Sequence, residues 1–179
     1  SYTVDFAEVH GQSYGVRAAL IAAAGGHNLL LSGVAGSGKT MIAKRIPTIL
    51  PPLRRDENIE ITKVYSVAGL LPPGQSLLNH RPFRTPHHTI TTAALVGGSA
   101  QGGIVPGELA LASRGVLFLD ELPLFSKASI EALRQPIEEK QVIISRLNGT
   151  FRYPADCLLV AAMKTATSRM IPPQFRIKA

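Results

Sequence analysis

The chain has one cysteine, Cys157, among its 179 residues. A single thiol excludes an internal disulfide and fits a reducing, cytoplasmic setting. Cys157 opens the apolar run Cys157-Leu158-Leu159-Val160, where a buried structural thiol is expected rather than a reactive one. No apolar run approaches the roughly eighteen residues that span a bilayer, so no membrane segment is expected. Internal repeats, low-complexity tracts and a secretory signal are also missing. The first residue is Ser1 rather than Met, so the start is expected to be processed or cut from something longer. Lys and Arg outnumber Asp and Glu by 19 to 12, a surplus compatible with polyanionic partners. It forms no Lys/Arg-rich block, and part of it (Lys164, Arg169, Arg176, Lys178) lies in an acid-free C-terminal stretch.

What is present suits one domain with a substantial core, since 45% of the residues are apolar. Residues 1–12 are expected to be extended or looped. Residues 16–24 are Ala-rich and helix-prone, and Gly25-Gly26 ends them as a C-terminal cap would. Residues 27–32 read as a short buried strand. A glycine-rich loop follows, and residues 39–50 read as a helix stopped by Pro51-Pro52. Residues 53–107 lack clear periodicity, which in a stretch this long points to a functional segment. Residues 107–113 suit a short helix, and Val116-Leu117-Phe118-Leu119 suits a strand buried on both faces. Ser126 can cap a helix from Lys127, with Ile130, Leu133 and Ile137 at helical spacing and Pro136 expected to kink or divide it. Residues 141–146 and 150–153 read as strands joined at the hairpin turn Asn148-Gly149, and residues 158–163 as another buried strand. Strand–helix alternation predicts an α/β core: a parallel sheet, helices on both faces and one inserted hairpin.

Gly33-Val34-Ala35-Gly36-Ser37-Gly38-Lys39-Thr40 matches G-x-x-x-x-G-K-[ST] at every fixed position, between an expected strand and an expected helix. The glycines let consecutive N–H groups turn toward phosphate oxygens, and the helix N-terminus adds favourable dipole charge. This predicts a nucleotide-binding loop over residues 33–40 and Met41. Lys39 is placed for the β- and γ-phosphates and the Thr40 hydroxyl for Mg²⁺. The apolar strand ending in Asp120-Glu121 completes the pattern, because ligands of α/β sheets bind at the C-terminal ends of parallel strands. Asp120 is expected to hold Mg²⁺, mostly through water, and Glu121 to orient or deprotonate an attacking water. Alone, two acids after an apolar strand could equally be a solvated strand end. ATP and Mg²⁺ are the expected cofactors, with Lys39 and Glu121 as the catalytic pair.

The pairing of residues 33–40 with Leu119-Asp120-Glu121 resembles the AAA+ class of P-loop ATPases. Further strings narrow the likeness to the Mg-chelatase-like ATPases, in their competence-associated branch. These are Ala22-Ala23-Ala24-Gly25-Gly26-His27-Asn28-Leu29-Leu30-Leu31, Ser66-Val67-Ala68-Gly69-Leu70, Arg81-Pro82-Phe83-Arg84-Thr85-Pro86-His87-His88-Thr89, Pro106-Gly107-Glu108-Leu109 and Glu131-Ala132-Leu133-Arg134-Gln135-Pro136. The resemblance covers roughly residues 2–163; the tail, 164–179, is atypical.

The resemblance implies a three-layer AAA+ core over residues 1–179, whose family adds a C-terminal helical lid that is absent here. It implies a homo-oligomeric ring, commonly a hexamer, with ATP between neighbours. Residues 64–103 would be an insert near the second helix and residues 141–153 a second hairpin insert, both facing the ring pore. It further implies a motor acting on DNA in recombination. Residues near Val9-His10-Gly11 and Gly15 would hold adenine. Three departures stand out: Lys164 where the family has Asn as a polar sensor, Ser113 where it has His, and no positions matching the second sensor arginine or the arginine finger. Arg169 and Arg176 are not in the family pattern and are assigned neither role. These departures predict nucleotide binding with slow turnover or none. His87-His88 suits loop packing or substrate contact better than a metal site, and Arg81 and Arg84 are candidate nucleic-acid contacts. A metal-chelatase motor for Mg insertion into a porphyrin, and a nucleotide-binding assembly module without turnover, are the competing readings.

Overall fold

Alternating apolar residues in a strand point to opposite faces, so a strand apolar at every position must be covered on both sides. That constraint organises the molecule. A computed structural model describes residues 4–100, 103–146 and 149–164. In chain order it runs through a 3₁₀ turn (Phe6–Glu8), α1 (Ser13–Gly25), β1 (Leu29–Gly33), α2 (Lys39–Ile49), α3 (Arg55–Val67), β2 (Phe83–Arg84), α4 (Thr92–Val96), β3 (Gly97–Ala100) and β4 (Gly103–Pro106). There follow α5 (Glu108–Leu111), β5 (Val116–Leu119), a 3₁₀ turn (Leu122–Leu124), α6 (Lys127–Glu139), β6 (Gln141–Arg146), β7 (Gly149–Pro154) and β8 (Leu158–Lys164).

The central sheet has the strand order β1-β8-β5-β2, and every neighbouring pair is parallel. Period-two sorting sets its two cores. Leu29, Leu31, Val116, Phe118, Leu158 and Val160 face α1 and α2, packing on Ala19, Ala22, Ile42, Ala43 and Ile46. Leu117, Leu119 and Ala161 face the other way, onto Leu95 of α4, Leu109 of α5, Leu133 of α6 and Val142 and Ile144 of β6. Phe118 is fully buried, and a side chain of that size contributes about 1.5–3 kcal/mol by leaving water. The expected α/β core is therefore present. Two antiparallel hairpins, β3–β4 and β6–β7, stand outside the sheet. Among the described residues no helix is long and apolar enough to cross a membrane.

Two expectations are corrected. Residues 53–107 are not irregular throughout: α3 is a thirteen-residue helix. Its buried positions are Glu57, Asn58, Ile61 and Val64, so polar side chains occupy half of the inward face and blur the apolar period. They are satisfied there. The Glu57 carboxylate accepts from the Arg54 backbone N–H at 2.9 Å, and the Asn58 amide donates to the Leu78 carbonyl at 2.6 Å. The second correction concerns Pro136, which does not divide α6; the helix ends with Lys140 in the left-handed region, its N–H bonded to the Pro136 carbonyl. The Ser126 cap is as expected, its hydroxyl accepting from the Ser129 N–H at 3.1 Å. Strands β6 and β7 pair to Arg146 opposite Gly149, while the turn assigned to Asn148 lies outside the described residues.

Arg81 and Arg84 each have partners within the protein. Arg84 makes a two-pronged bond to Glu108, with Nε to Oε2 at 2.6 Å and Nη2 to Oε1 at 2.7 Å. Arg81 donates to the Pro51 carbonyl at 2.5 Å and the Arg114 carbonyl at 2.6 Å. Both guanidinia bolt the β2 region to its neighbours, which does not support the reading of them as nucleic-acid contacts. Arg114 extends this network through Glu60 at 2.5 Å and Asp156 at 2.8 Å, joining α3 to the β7–β8 connection.

Candidate functional site

Parallel strands deliver their C-terminal ends to one edge of a sheet, and here the ends of β1, β8 and β5 meet. Strand β1 finishes at Gly33, whose Cα is in register with Lys164 at the end of β8. On its other side β8 sets Ala161 opposite Leu119, the last residue of β5, so Asp120 and Glu121 emerge at the same edge. The cleft between them, about 390 Å³, is lined by residues 35–41, Asp120, Glu121 and Lys164.

The loop from β1 to α2 turns as its glycines require. Gly36 and Gly38 have φ of 74° and 79°, left-handed values that a side chain resists, and Gly38 is the N-cap of α2. Lys39 curls back over the loop, its Nζ donating to the Gly33 carbonyl at 2.9 Å, the Val34 carbonyl at 2.8 Å and the Ser37 hydroxyl at 3.0 Å. Thr40, one residue on, donates from Oγ1 to Asp120 Oδ2 at 3.1 Å across eighty positions of sequence. The other Asp120 oxygen accepts the Glu121 N–H at 2.9 Å. Glu121 itself sits at φ 54°, ψ 49°, uncommon for a residue with a side chain.

The structure thus brings together the loop, Lys39, Thr40, Met41, Asp120 and Glu121, all singled out from sequence. The segment before α1 also approaches the loop, since Gln12 Cγ lies 3.9 Å from where a Gly38 side chain would begin.

The structure sets Lys164, His87 and His88 beside Glu121, a grouping the sequence reading did not make. Lys164 Nζ donates to Glu121 Oε1. The Lys164 ammonium, by that bond first and then by its charge, holds the Glu121 carboxyl below its ordinary value, and the imidazoles of His88 and His87 act in the same direction. Glu121 in turn raises the pKa of Lys164. The His87 and His88 rings lie tilted by 35° at 4.1 Å between centroids, His88 meets Phe125 edge-on at 6.5 Å, and His87 Nδ1 bonds the Thr89 hydroxyl at 2.9 Å. This is packing in a loop, but packing beside the carboxylate. No signal in linear sequence joins position 88 to 121. The pairing of β2 with β5, Arg84 opposite Leu117, carries the loop there.

The remaining residues flagged from sequence lie elsewhere. Ser113 is fully buried, its hydroxyl accepting the Asp156 N–H at 3.2 Å. Cys157 is half-buried, and burial pushes its thiol up to about 12, far from a reactive thiolate. Among the described residues no group of three or more His, Cys, Asp or Glu side chains is arranged to hold a metal ion. Arg169 and Arg176 lie outside the described residues.

Comparison with known proteins places this geometry. The family described as "Magnesium chelatase, subunit ChlI" matches residues 5–174. Competence protein ComM of Haemophilus influenzae is 47% identical over 168 residues, covering 90% of this chain and 31% of its own. The YifB protein of Escherichia coli K12, which is uncharacterized, is 48% identical over 159 residues, 89% of this chain and 31% of its own. The chain thus spans about a third of the length of these relatives. Among solved structures, a chain of the magnesium chelatase complex between subunits BchI and BchD superposes with a TM-score of 0.61 at 18% identity, over 91% of this chain and 52% of that one. NtrX of Brucella abortus in complex with ADP superposes with a TM-score of 0.56 at 21% identity, over 89% of this chain and 31% of that one. These two likenesses show the fold.

Proposed function

Since this chain belongs to the magnesium chelatase subunit ChlI family, we propose that it is the ATP-binding and ATP-hydrolysing core of a ring-forming AAA+ motor that works on DNA. One observation carries the nucleotide reading: Lys39, Thr40, Asp120 and Glu121, from two distant strand–turn units, converge in one cleft. The residues fit a Mg²⁺-nucleoside triphosphate. The left-handed glycines turn the loop into a cradle for phosphate oxygens, and Lys39 reaches over that cradle. Thr40 Oγ1 and Asp120 Oδ2 present hard oxygen donors side by side, which suits a divalent cation holding most of its water. Bound Mg²⁺ would supply neutralisation of charge on the transferring phosphate.

The chain's own residues do the rest. Backbone N–H groups at the start of α2 fix the phosphates, and Lys39 holds the β- and γ-oxygens. Glu121, next to Asp120 and pointing out of the strand end, orients water and accepts its proton. Glu121 is paired with Lys164 in this structure, so the step requires that exposed pair to open. Support for DNA as substrate is the 47% identity to a competence protein. A porphyrin-directed chelatase motor, the other reading, has behind it the description of the matching family and a fold likeness at 18% identity.

The test is calorimetric titration of Mg-ATP into the chain and into Lys39→Ala, with phosphate release followed in parallel, with and without DNA. Binding that is lost in Lys39→Ala, with slow release that DNA accelerates, is the expected result. Binding indifferent to Lys39 would remove the site assignment, and turnover blind to DNA would remove the substrate.

A further inference from the structure

Helix α3 turns the usual arrangement of a surface helix partly inside out. Its inward side takes Glu57 and Asn58 along with Ile61 and Val64, while Ile59 and Val67 are left outside at 41% and 58% exposure. Positions 59, 63 and 67 follow one another at about 6 Å along the axis, so Lys63 stands between the two aliphatic side chains. Leu70, just beyond the helix, is also exposed and lengthens the patch. Single exposed apolar residues are ordinary, but several along one helix mark a surface that binds something.

This run forms one wall of a groove of about 420 Å³, and Tyr153 and Pro154 of β7 form the facing wall, with Arg152 beside them. The carboxylates that line the groove are already engaged. Asp56 accepts two bonds from Arg54, and Glu60 accepts from Arg114 at 2.5 Å. Arg55, one turn before Ile59, and Lys63 and Arg152 have no ion-pair partner among the described residues. The charge left over is therefore positive, set beside apolar walls. A single nucleic-acid strand would bind by stacking its bases on aromatic faces. The one aromatic ring lining the groove is that of Tyr153, half-buried, with its hydroxyl donated to the Ile104 carbonyl at 3.2 Å. Asp56 and Glu60 would also repel a phosphodiester chain. An acidic helix fits better, because its apolar side chains can seat between Ile59, Val67 and Tyr153 while its carboxylates reach three separate cations.

We propose that the groove between α3 and β7 is a docking site for an amphipathic helix of a partner protein, one whose apolar stripe is flanked by Asp and Glu. The groove shares no lining residue with the nucleotide cleft, so the proposal stands or falls apart from the nucleotide reading.

The experiment selects binders of the full chain from a displayed library of helical peptides, with the apolar stripe fixed and the flanks varied among acidic, basic and neutral residues. The selected peptide is then titrated by fluorescence anisotropy into the unmutated chain, Lys63→Glu/Arg152→Glu and Ile59→Ser/Val67→Ser, with circular dichroism showing that each variant is folded. The flanks should emerge as Asp and Glu. Charge reversal should weaken binding by about tenfold or more, and steeply with falling salt. A peptide with its carboxylates exchanged for Lys should then prefer the reversed chain to the unmutated one. The serine variant should lose about tenfold at any salt. A library that yields no binder, or binders with neutral or basic flanks, overturns the proposal, as does affinity indifferent to the charge reversal. If an oligo(dT) strand loses affinity for Lys63→Glu/Arg152→Glu and the peptide does not, the surface belongs to nucleic acid and the acidic helix is refuted.

Discussion

The Arg84–Glu108 pair decides whether the region around β2 is a structural bolt or a free basic surface. Two short bonds, 2.6 and 2.7 Å, join a residue of the two-residue edge strand β2 to the first residue of α5. The side chains are 30% and 20% exposed, between the open pairs worth about 0.2–1 kcal/mol and the buried ones whose rupture costs about 3–5 kcal/mol. Bidentate geometry adds strength, so a coupling energy of about 2 kcal/mol is expected. The Glu108 carboxylate also keeps the Arg84 guanidinium charged more firmly than usual, with a smaller contribution from Tyr65. Urea denaturation of Arg84→Ala, Glu108→Ala and the double variant, closed as a cycle, measures that coupling. Arg84→Ala alone should lower Tm by roughly 4–8 °C for a chain of this size. In parallel, the salt slope of DNA binding should be the same in Arg84→Ala as in the unmutated chain. A coupling below about 0.5 kcal/mol, with a slope reduced by about one, would refute the argument and return Arg84 to the phosphate contacts.

Two further outcomes follow from single residues. Cys157, whose ordinary pKa of 9.0 is raised to about 12, stays protonated in the folded chain at pH values where the unfolded chain loses the proton. Stability should therefore fall as pH rises above about 9, by up to about 1.4 kcal/mol per unit, and Cys157→Ala should flatten that slope in denaturation series at pH 8, 9 and 10. At Gly115, just before β5, an added Cβ would sit 2.0 Å from the Pro82 carbonyl oxygen, and backbone cannot rotate away as a side chain can. Gly115→Ala should cost more than about 3 kcal/mol in chemical denaturation, and a loss under 1 kcal/mol would show that the β2–β5 junction is slack.

The parts of this molecule that are legible in sequence are those whose physics is local. The phosphate loop is eight consecutive residues, and Gly36 and Gly38 take the left-handed values that such a turn needs. Strands β1, β5 and β8 announce themselves because each is apolar on both faces, and the Ser126 cap because its partner is three residues away. Helix α3 was hidden because Glu57 and Asn58 take inward positions, and what satisfies Asn58 comes from residues 78 and 79. Arg81 and Arg84 read as surface cations for a related reason: their partners lie at positions 51, 57, 108 and 114, out of reach of any local pattern.

The same division runs through the site. The half proposed to hold phosphate is contiguous, so its geometry follows from the loop alone. The half proposed to hydrolyse is assembled from the end of β5, the end of β8 and the loop after β2, and it exists only because the strand order places β8 between β1 and β5. Had β8 lain outside β1, Lys164 could not reach Glu121, and the loop lysine would be the cleft's single cation. Binding and hydrolysis are for this reason separable in principle. A change in the sheet's edge or in the loop bearing His87 and His88 alters what surrounds Glu121 without touching the cradle that Lys39 closes. The departure at Lys164 falls on the separable half, at the strand position where register with Gly33 and adjacency to β5 coincide.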